Sequence, residues 1–207
     1  ATNDQYGSSI AISANGDRII VGAFTKDVSG ITDCGQVYIY VLSGGTWVEE
    51  SVLSGSDRAT SDQFGYAVAI DASGTRLAVG AYNKTVSATA GAGKVYLYTR
   101  SGSAWILETT LTASVITAYM YFGTGLAFNT DASLLAVGAA GKTFGGTTAC
   151  GTVTFYTRVG STWTIGSEIA ASDKQTNAQF GVCLAFDSTN TRLAVGANLH
   201  DSAVASN

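Results

Sequence analysis

The 207-residue chain is 46% hydrophobic and 13% charged, carries a formal net charge of −4, and scatters its eleven Lys and Arg singly. That balance argues against a phosphate-tracking nucleic-acid surface, and no apolar run approaches the roughly 20 residues that span a bilayer. Gly supplies 25 residues and Pro none, so the turns must be built from Gly, Asn, Asp and Ser.

A period of 58 residues runs through the chain without an insertion. Tyr6-Gly7, Phe64-Gly65, Phe122-Gly123 and Phe180-Gly181 open four copies, and Val21-Gly22-Ala23, Val79-Gly80-Ala81, Val137-Gly138-Ala139 and Val195-Gly196-Ala197 recur in step. A fixed period of this length indicates one supersecondary unit used repeatedly, and makes the chain a single array.

Each copy reads as four short strands. The first, such as Tyr66–Ile70, alternates in polarity and ends in a turn: Ala14–Asp17, Ala72–Thr75, Thr130–Ser133 or Ser188–Thr191. Asn-Gly and Ser-Gly in the first two turns supply the positive φ of a tight hairpin. The second strand, Arg18–Ala23, Arg76–Ala81, Leu134–Ala139 or Arg192–Ala197, is nearly continuous in apolar residues and suits burial on both faces. A polar loop follows, then a third strand with Val37–Tyr40, Val95–Tyr98 or Val153–Tyr156. A Ser/Gly hairpin leads to Trp47, Trp105 and Trp163, each opening a fourth strand that ends near Leu53, Leu111 or Ile169. Small residues on the inner strands and aromatics on the outer ones describe an all-β propeller of four-stranded antiparallel blades. Three blades are complete (about 6–54, 64–112 and 122–169), and a half blade occupies 180–207.

These motifs resemble FG-GAP repeats, the blades of integrin α-subunit propellers and of many extracellular proteins. Asp62-Gln63-Phe64-Gly65, Arg76–Ala81, Gly93–Tyr98 and Ser101–Trp105 carry the resemblance, which spans nearly the whole chain. It implies an extracellular or cell-surface propeller used for adhesion, ligand binding or assembly. Phe24, Tyr82, Ala140 and Asn198 stand where the family has Pro. The family's calcium loop is not carried over: 13–17, 71–75, 129–133 and 187–191 each offer at most two carboxylates, and calcium prefers six to eight oxygens.

Three and a half blades do not close a ring. The second strand of the half blade, Leu193, Ala194, Val195 and Gly196, is the expected assembly edge, a template for another strand. The array is thus a fragment of a larger ring, is completed by another chain, or joins copies of itself. Ala1 begins almost at the first repeat, as in a processed form.

Cys34 and Cys150 occupy one repeat position two blades apart, too far for an internal disulfide. They either bond a neighbouring chain or remain free loop thiols. Cys183 reads as a small buried filler, and His200 as a histidine on a loose tail. Asn83-Lys84-Thr85 is the one Asn-x-Ser/Thr site and a glycosylation candidate. Tyr38/Tyr40, Tyr96/Tyr98 and the three Trp read as core, or, if exposed, as sugar-stacking surfaces. No catalytic constellation, cofactor site or zinc spacing is present, so the expected role is non-catalytic. The expected partners are other protein chains, copies of itself or glycans, with no nucleic acid and no membrane span.

Overall fold

The computed structural model describes residues 3–201; residues 202–207, the end of the expected half blade, lie outside them. Fourteen strands form four antiparallel sheets, with no helix among the described residues. The first holds β1 (Tyr6–Ile12), β2 (Arg18–Ala23), β3 (Gln36–Ser43) and β4 (Thr46–Leu53) in that order. The second holds β5 (Phe64–Ile70), β6 (Arg76–Ala81), β7 (Lys94–Ser101) and β8 (Ala104–Leu111). The third holds β9 (Phe122–Phe128), β10 (Leu134–Ala139), β11 (Thr152–Val159) and β12 (Thr162–Ile169), and the last only β13 (Phe180–Phe186) and β14 (Leu193–Ala197).

Successive sheets pack through their first strands. β5 lies against β1 and β2, β9 against β5 and β6, and β13 against β9 and β10. The four first strands therefore line a common centre, and β4, β8 and β12 form the periphery. The cores sit between sheets. Ile20, Val37 and Ile39 of the first sheet meet Phe64, Leu77 and Tyr96 of the second. Val95 and Leu97 of the second meet Phe122, Leu135 and Tyr156 of the third.

The aromatic-glycine pair explains itself in this frame. Gly65, Gly123 and Gly181 have φ of +91°, +94° and +97°, a conformation open to glycine and strained for side chains. At each the strand pairing shifts register, a bulge. The bulge turns the glycine carbonyl onto the glycine of the preceding sheet's Val-Gly-Ala. A Cβ on Gly22 would lie 2.1 Å from Gly65 O, one on Gly80 2.1 Å from Gly123 O, and one on Gly138 1.9 Å from Gly181 O. Sheets can approach this closely only where both partners lack side chains. The preceding aromatic ring turns inward and meets the third strand edge-on, Phe64 at 5.2 Å from Tyr96 and Phe122 at 6.1 Å from Tyr156.

The turns after the first strands are held by one repeated acceptor. Asp71 Oδ1 accepts from the N–H groups of Thr75 (2.7 Å) and Arg76 (2.8 Å), and Asp187 Oδ1 from those of Thr191 and Arg192 (2.9 Å each). Ser13 and Asn129 accept from Arg18 and Leu134 at the matching places. Gly16 and Gly74 take the expected positive φ, but Ala132 and Asn190 do so in the other two turns, so the repeat geometry overrides the local preference for glycine.

Gly80→Ala is expected to destabilise the chain by at least about 3 kcal/mol, the upper range for overpacking, because backbone must move. Gly55→Ala, whose Cβ would find its nearest atom at an ordinary 3.4 Å, should cost under about 1 kcal/mol. Urea unfolding of the two variants, followed by tyrosine and tryptophan fluorescence, checks the contrast.

Candidate functional site

The surface that carries the assembly expectation is the outward side of the two-stranded sheet. Among the described residues β14 pairs with β13 alone, whereas β2, β6 and β10 each have a second neighbour. Leu193, Ala194, Val195 and Gly196 therefore present one unpaired backbone edge. Beside it, Gly196 and Cys183 occupy the positions at which the other sheets receive the next bulge. In the first sheet those positions are Gly22 and Ser9, and Ser9 Oγ donates to Gly65 O at 2.7 Å. In the third they are Gly138 and Gly125, both crowded by Gly181 O.

Cys183 is thus exposed, not the buried filler expected from its strand position, because no further sheet covers this face among the described residues. On the opposite side, Tyr6-Gly7 is a bulge with no sheet packed before it among the described residues. Gly7 has φ +86° and no atom within 4 Å of where its Cβ would stand, and Tyr6 is 55% exposed where Phe64 and Phe122 are buried. Tyr6 leans on Tyr38 at 5.2 Å and donates to the Tyr40 hydroxyl at 2.9 Å. Ile10, Ile12, Leu42, Trp47 and Val48 extend the same end as exposed apolar residues.

The other sequence candidates fall elsewhere. Cys34 and Cys150 are free thiols on loops, as one of the two readings had them, but fully enclosed, with their thiols directed at the carbonyls of Lys26 (3.7 Å) and Lys142 (3.8 Å). A bond to another chain requires each loop to open first. Asn83 is half-buried and its amide donates to Ser61 O at 2.9 Å, so a glycan there requires that amide to swing outward. Trp105 is buried, Trp163 partly buried and Trp47 exposed. Tyr96, Tyr98 and Tyr156 are buried, and burial raises the pKa of each phenol. A sugar-stacking aromatic repeated on every sheet is therefore not what these positions present. The first-turn loops do not fit a calcium ion: Asp71 and Asp187 already turn their oxygens to backbone and hydroxyl donors. Among the described residues no three His, Cys, Asp or Glu side chains converge.

Two polar systems were not singled out in the sequence. One is a repeated cation after the second strand. Lys26 meets Asp4 at 2.8 Å, Lys84 meets Asp62 at 2.7 Å, and Lys142 meets Glu168 at 2.7 Å. His200 holds the fourth copy of that position, 3.3 Å from Asp173 Oδ2. It is placed by the repeat, not loose. The 58-residue spacing of the three Lys was the available signal. The second system is Glu50, with a side chain only 5% exposed. It accepts from Arg100 Nη2 (2.9 Å) and Trp105 Nε1 (3.1 Å) of the second sheet, and from Arg18 Nε (3.4 Å) of its own. Asp57 similarly joins Lys94 at 2.7 Å, Lys84 at 3.6 Å and the Tyr96 hydroxyl.

Burial pushes both carboxyls up, but the indole and the two guanidinium groups hold Glu50 below its ordinary value. Lys94, Tyr96 and Lys84 do the same for Asp57. A carboxyl lowered on folding contributes stability above its unfolded pKa and loses it as pH falls through the folded one. The thermal midpoint should therefore hold from neutrality to about pH 5 and fall below about pH 4. Glu50→Ala is expected to cost about 3–5 kcal/mol at pH 7, since it leaves two guanidinium groups unpaired at a sheet junction. Glu50→Gln should recover part of that and flatten the acid limb. Calorimetry across pH reads both. In the folded single chain a thiol reagent should reach Cys183 alone, and after unfolding all three cysteines.

No curated protein matches the sequence. Among solved structures, the crystal structure of Saccharomyces cerevisiae Sqt1 superposes with a TM-score of 0.52 at 12% identity. The match covers 84% of this chain and 38% of that one. At that identity the likeness concerns the fold alone, and it supports the propeller-like arrangement of the sheets. The chain spans well under half the length of that neighbour. The FG-GAP repeat profile matches residues 1–40 and 47–98, from β1 through most of β7. Over these residues the chain carries repeats of the FG-GAP family.

Proposed function

We propose that the chain is a non-catalytic, extracellular structural and interaction module that assembles with other chains, in the first place with copies of itself. Adhesion, a filament or a surface layer is the corresponding use. The observation that carries this is one interface, made three times among the described residues, whose receiving and inserting halves are each present once more without a partner among them. Gly22, Gly80 and Gly138 each receive the carbonyl of the next bulge. Gly196 and Cys183 offer the receiving half, and Tyr6-Gly7 the inserting half.

The two halves are complementary by the register that already joins the first three sheets. Cys183 can donate its S–H to an incoming Gly7 carbonyl as Ser9 donates its hydroxyl to Gly65 O. The Tyr6 ring would become covered, as Phe64 and Phe122 are. Next to this face, Leu193–Gly196 supplies N–H and C=O groups to an incoming strand. Contact between an inserting end and a receiving end is heterologous: it closes into a ring if the rotation allows and otherwise continues as a fibre. The FG-GAP repeats support an interaction role and a location outside the cell, and no helix among the described residues is long and apolar enough to cross a membrane.

Light scattering of the native particle is expected to give a discrete multiple of 21.2 kDa or a fibre. Tyr6→Asp and Cys183→Arg, both at exposed positions, should each return it to the single-chain mass with an unchanged far-ultraviolet spectrum. A wild-type mass of one chain overturns the proposal. An assembly indifferent to both substitutions overturns the assignment of these faces.

A further inference from the structure

The centre lined by the first strands carries a second surface, independent of the two ends. At its mouth the rings of Phe24, Tyr66, Tyr82 and Tyr121 follow one another across three sheets. Centroid distances are 5.1 Å from Phe24 to Tyr66, 4.0 Å from Tyr66 to Tyr82 and 5.4 Å from Tyr82 to Tyr121. Phe24 and Tyr82 stand where the family pattern has Pro, so this ladder belongs to the present chain and not to the repeat.

Amides complete the wall. Gln63, Tyr121 and Gln179 occupy one repeat position and share an uncommon backbone, with φ of +59°, +57° and +59°. Each lies directly before its aromatic-glycine bulge and lines a cavity of about 300 Å³ together with Tyr66, Tyr82 and Asn83. The cavity adjoins a groove of about 590 Å³ along the first strands through Tyr66 and Thr124. These volumes lie within the range of small-molecule sites. Gln63 Oε1 is buried and accepts no hydrogen bond from any described residue, which costs free energy unless a donor reaches it.

The chemistry of the wall selects the ligand class. No Lys, Arg, Asp or Glu lines either space. An anion would find no cationic partner there. A guanidinium or ammonium group would be desolvated against aromatic faces with no carboxylate to balance it. Aromatic faces beside carboxamides instead suit a molecule with apolar C–H faces and rim hydroxyls. The rings cover the C–H face, and each amide both donates to and accepts from hydroxyls.

We infer that the axial mouth, built from Tyr66, Tyr82 and Tyr121 with Gln63, Asn83 and Gln179, is a binding site for a neutral saccharide. The Gln63 side chain turns its enclosed Oε1 toward the cavity to accept a sugar hydroxyl, and the Tyr82 ring, flanked by Tyr66 and Tyr121, holds together the aromatic wall against which the sugar lies. Neither Tyr6 nor Gly196 lines the cavity or the groove, and Cys183 lines only the adjoining groove, so sugar binding is tested by substitutions outside the assembly faces.

The test is saturation-transfer difference NMR, which works equally on a single chain and on a large assembly. The probes are the methyl glycosides of glucose, galactose and mannose, cellotetraose and maltotetraose, with ethylguanidinium and inorganic phosphate as charged controls. Saturable transfer to at least one neutral sugar is expected, with ring-face protons receiving most. Tyr82→Leu keeps apolar bulk without the ring, and Gln63→Asn keeps a residue that tolerates positive φ but draws the acceptor back. Each should weaken binding about ten-fold, equivalent to about 1.4 kcal/mol, while the far-ultraviolet spectrum and thermal midpoint stay near wild type. Absence of saturable transfer to every neutral sugar overturns the inference. So does transfer unchanged in both variants, or stronger binding of ethylguanidinium than of any sugar.

Discussion

The structure depends on one contact, a glycine carbonyl seated on a second glycine in the sheet before it. Gly65, Gly123 and Gly181 provide the carbonyl through a bulge, and Gly22, Gly80 and Gly138 provide the bare Cα. Two features of the motif follow. The aromatic must precede the bulged glycine, because the bulge that turns the carbonyl out also turns the ring in, onto Tyr96 or Tyr156. The second glycine must lie between Val and Ala on a strand buried on both faces, since the neighbours of the contact are themselves core. The period holds at 58 residues with no insertion because both halves must recur in register.

Around this apolar contact the chain sets its few charges at the junctions of strands and sheets. Glu50 ties Arg18 of its own sheet to Arg100 and Trp105 of the next, and Asp57 gathers Lys84, Lys94 and Tyr96. The buried Glu50 carboxylate is tolerated because several donors meet it, and is poorly served by one partner less, whereas Asp57 keeps nearly half its side chain in solvent. With a charged content of only 13%, the surface consists largely of hydroxyls, small residues and scattered apolar side chains. Such a surface does little to repel a like partner, which is consistent with a module whose ends are complementary.

The same repeat produces two different surfaces. At the ends, copies of the internal interface lie exposed, and their chemistry is that of packing: glycine, a thiol, an aromatic ring and an open strand edge. At the axis, the repeat brings together side chains that differ between copies, and the chemistry becomes that of recognition. Gln63, Tyr121 and Gln179 share one backbone conformation and one position but not one side chain. That is how a repetitive scaffold acquires a site that no single unit contains.

The sequence by itself determined the period, the strands, their antiparallel order and the family, because each rests on local spacing. Polar alternation, glycine placement and hairpin chemistry act within a few residues and are visible there. The boundaries Arg18–Ala23, Arg76–Ala81 and Leu134–Ala139 read from the sequence are those of β2, β6 and β10. The strand over Leu193–Ala197, β14, was legible for the same reason. What only the tertiary structure decided is which repeat positions face a neighbour. Cys34 and Cys150 sit on loops by sequence yet are enclosed, because the following sheet folds over them. Cys183 sits in a strand by sequence yet is exposed, because none of the described residues covers it. The Lys26, Lys84, Lys142 and His200 series was periodic in the sequence. Its carboxylate partners are periodic only in part: Asp4 and Asp62 lie one period apart and Asp57 and Asp173 two, whereas Glu168 comes from β12, so the spacing announced the cations but not which carboxylate each would meet. The tyrosine ladder is the extreme case: Phe24 and Tyr82 share one repeat position but Tyr66 and Tyr121 stand at two others, and only closure of the first strands around a centre brings the four rings within stacking distance.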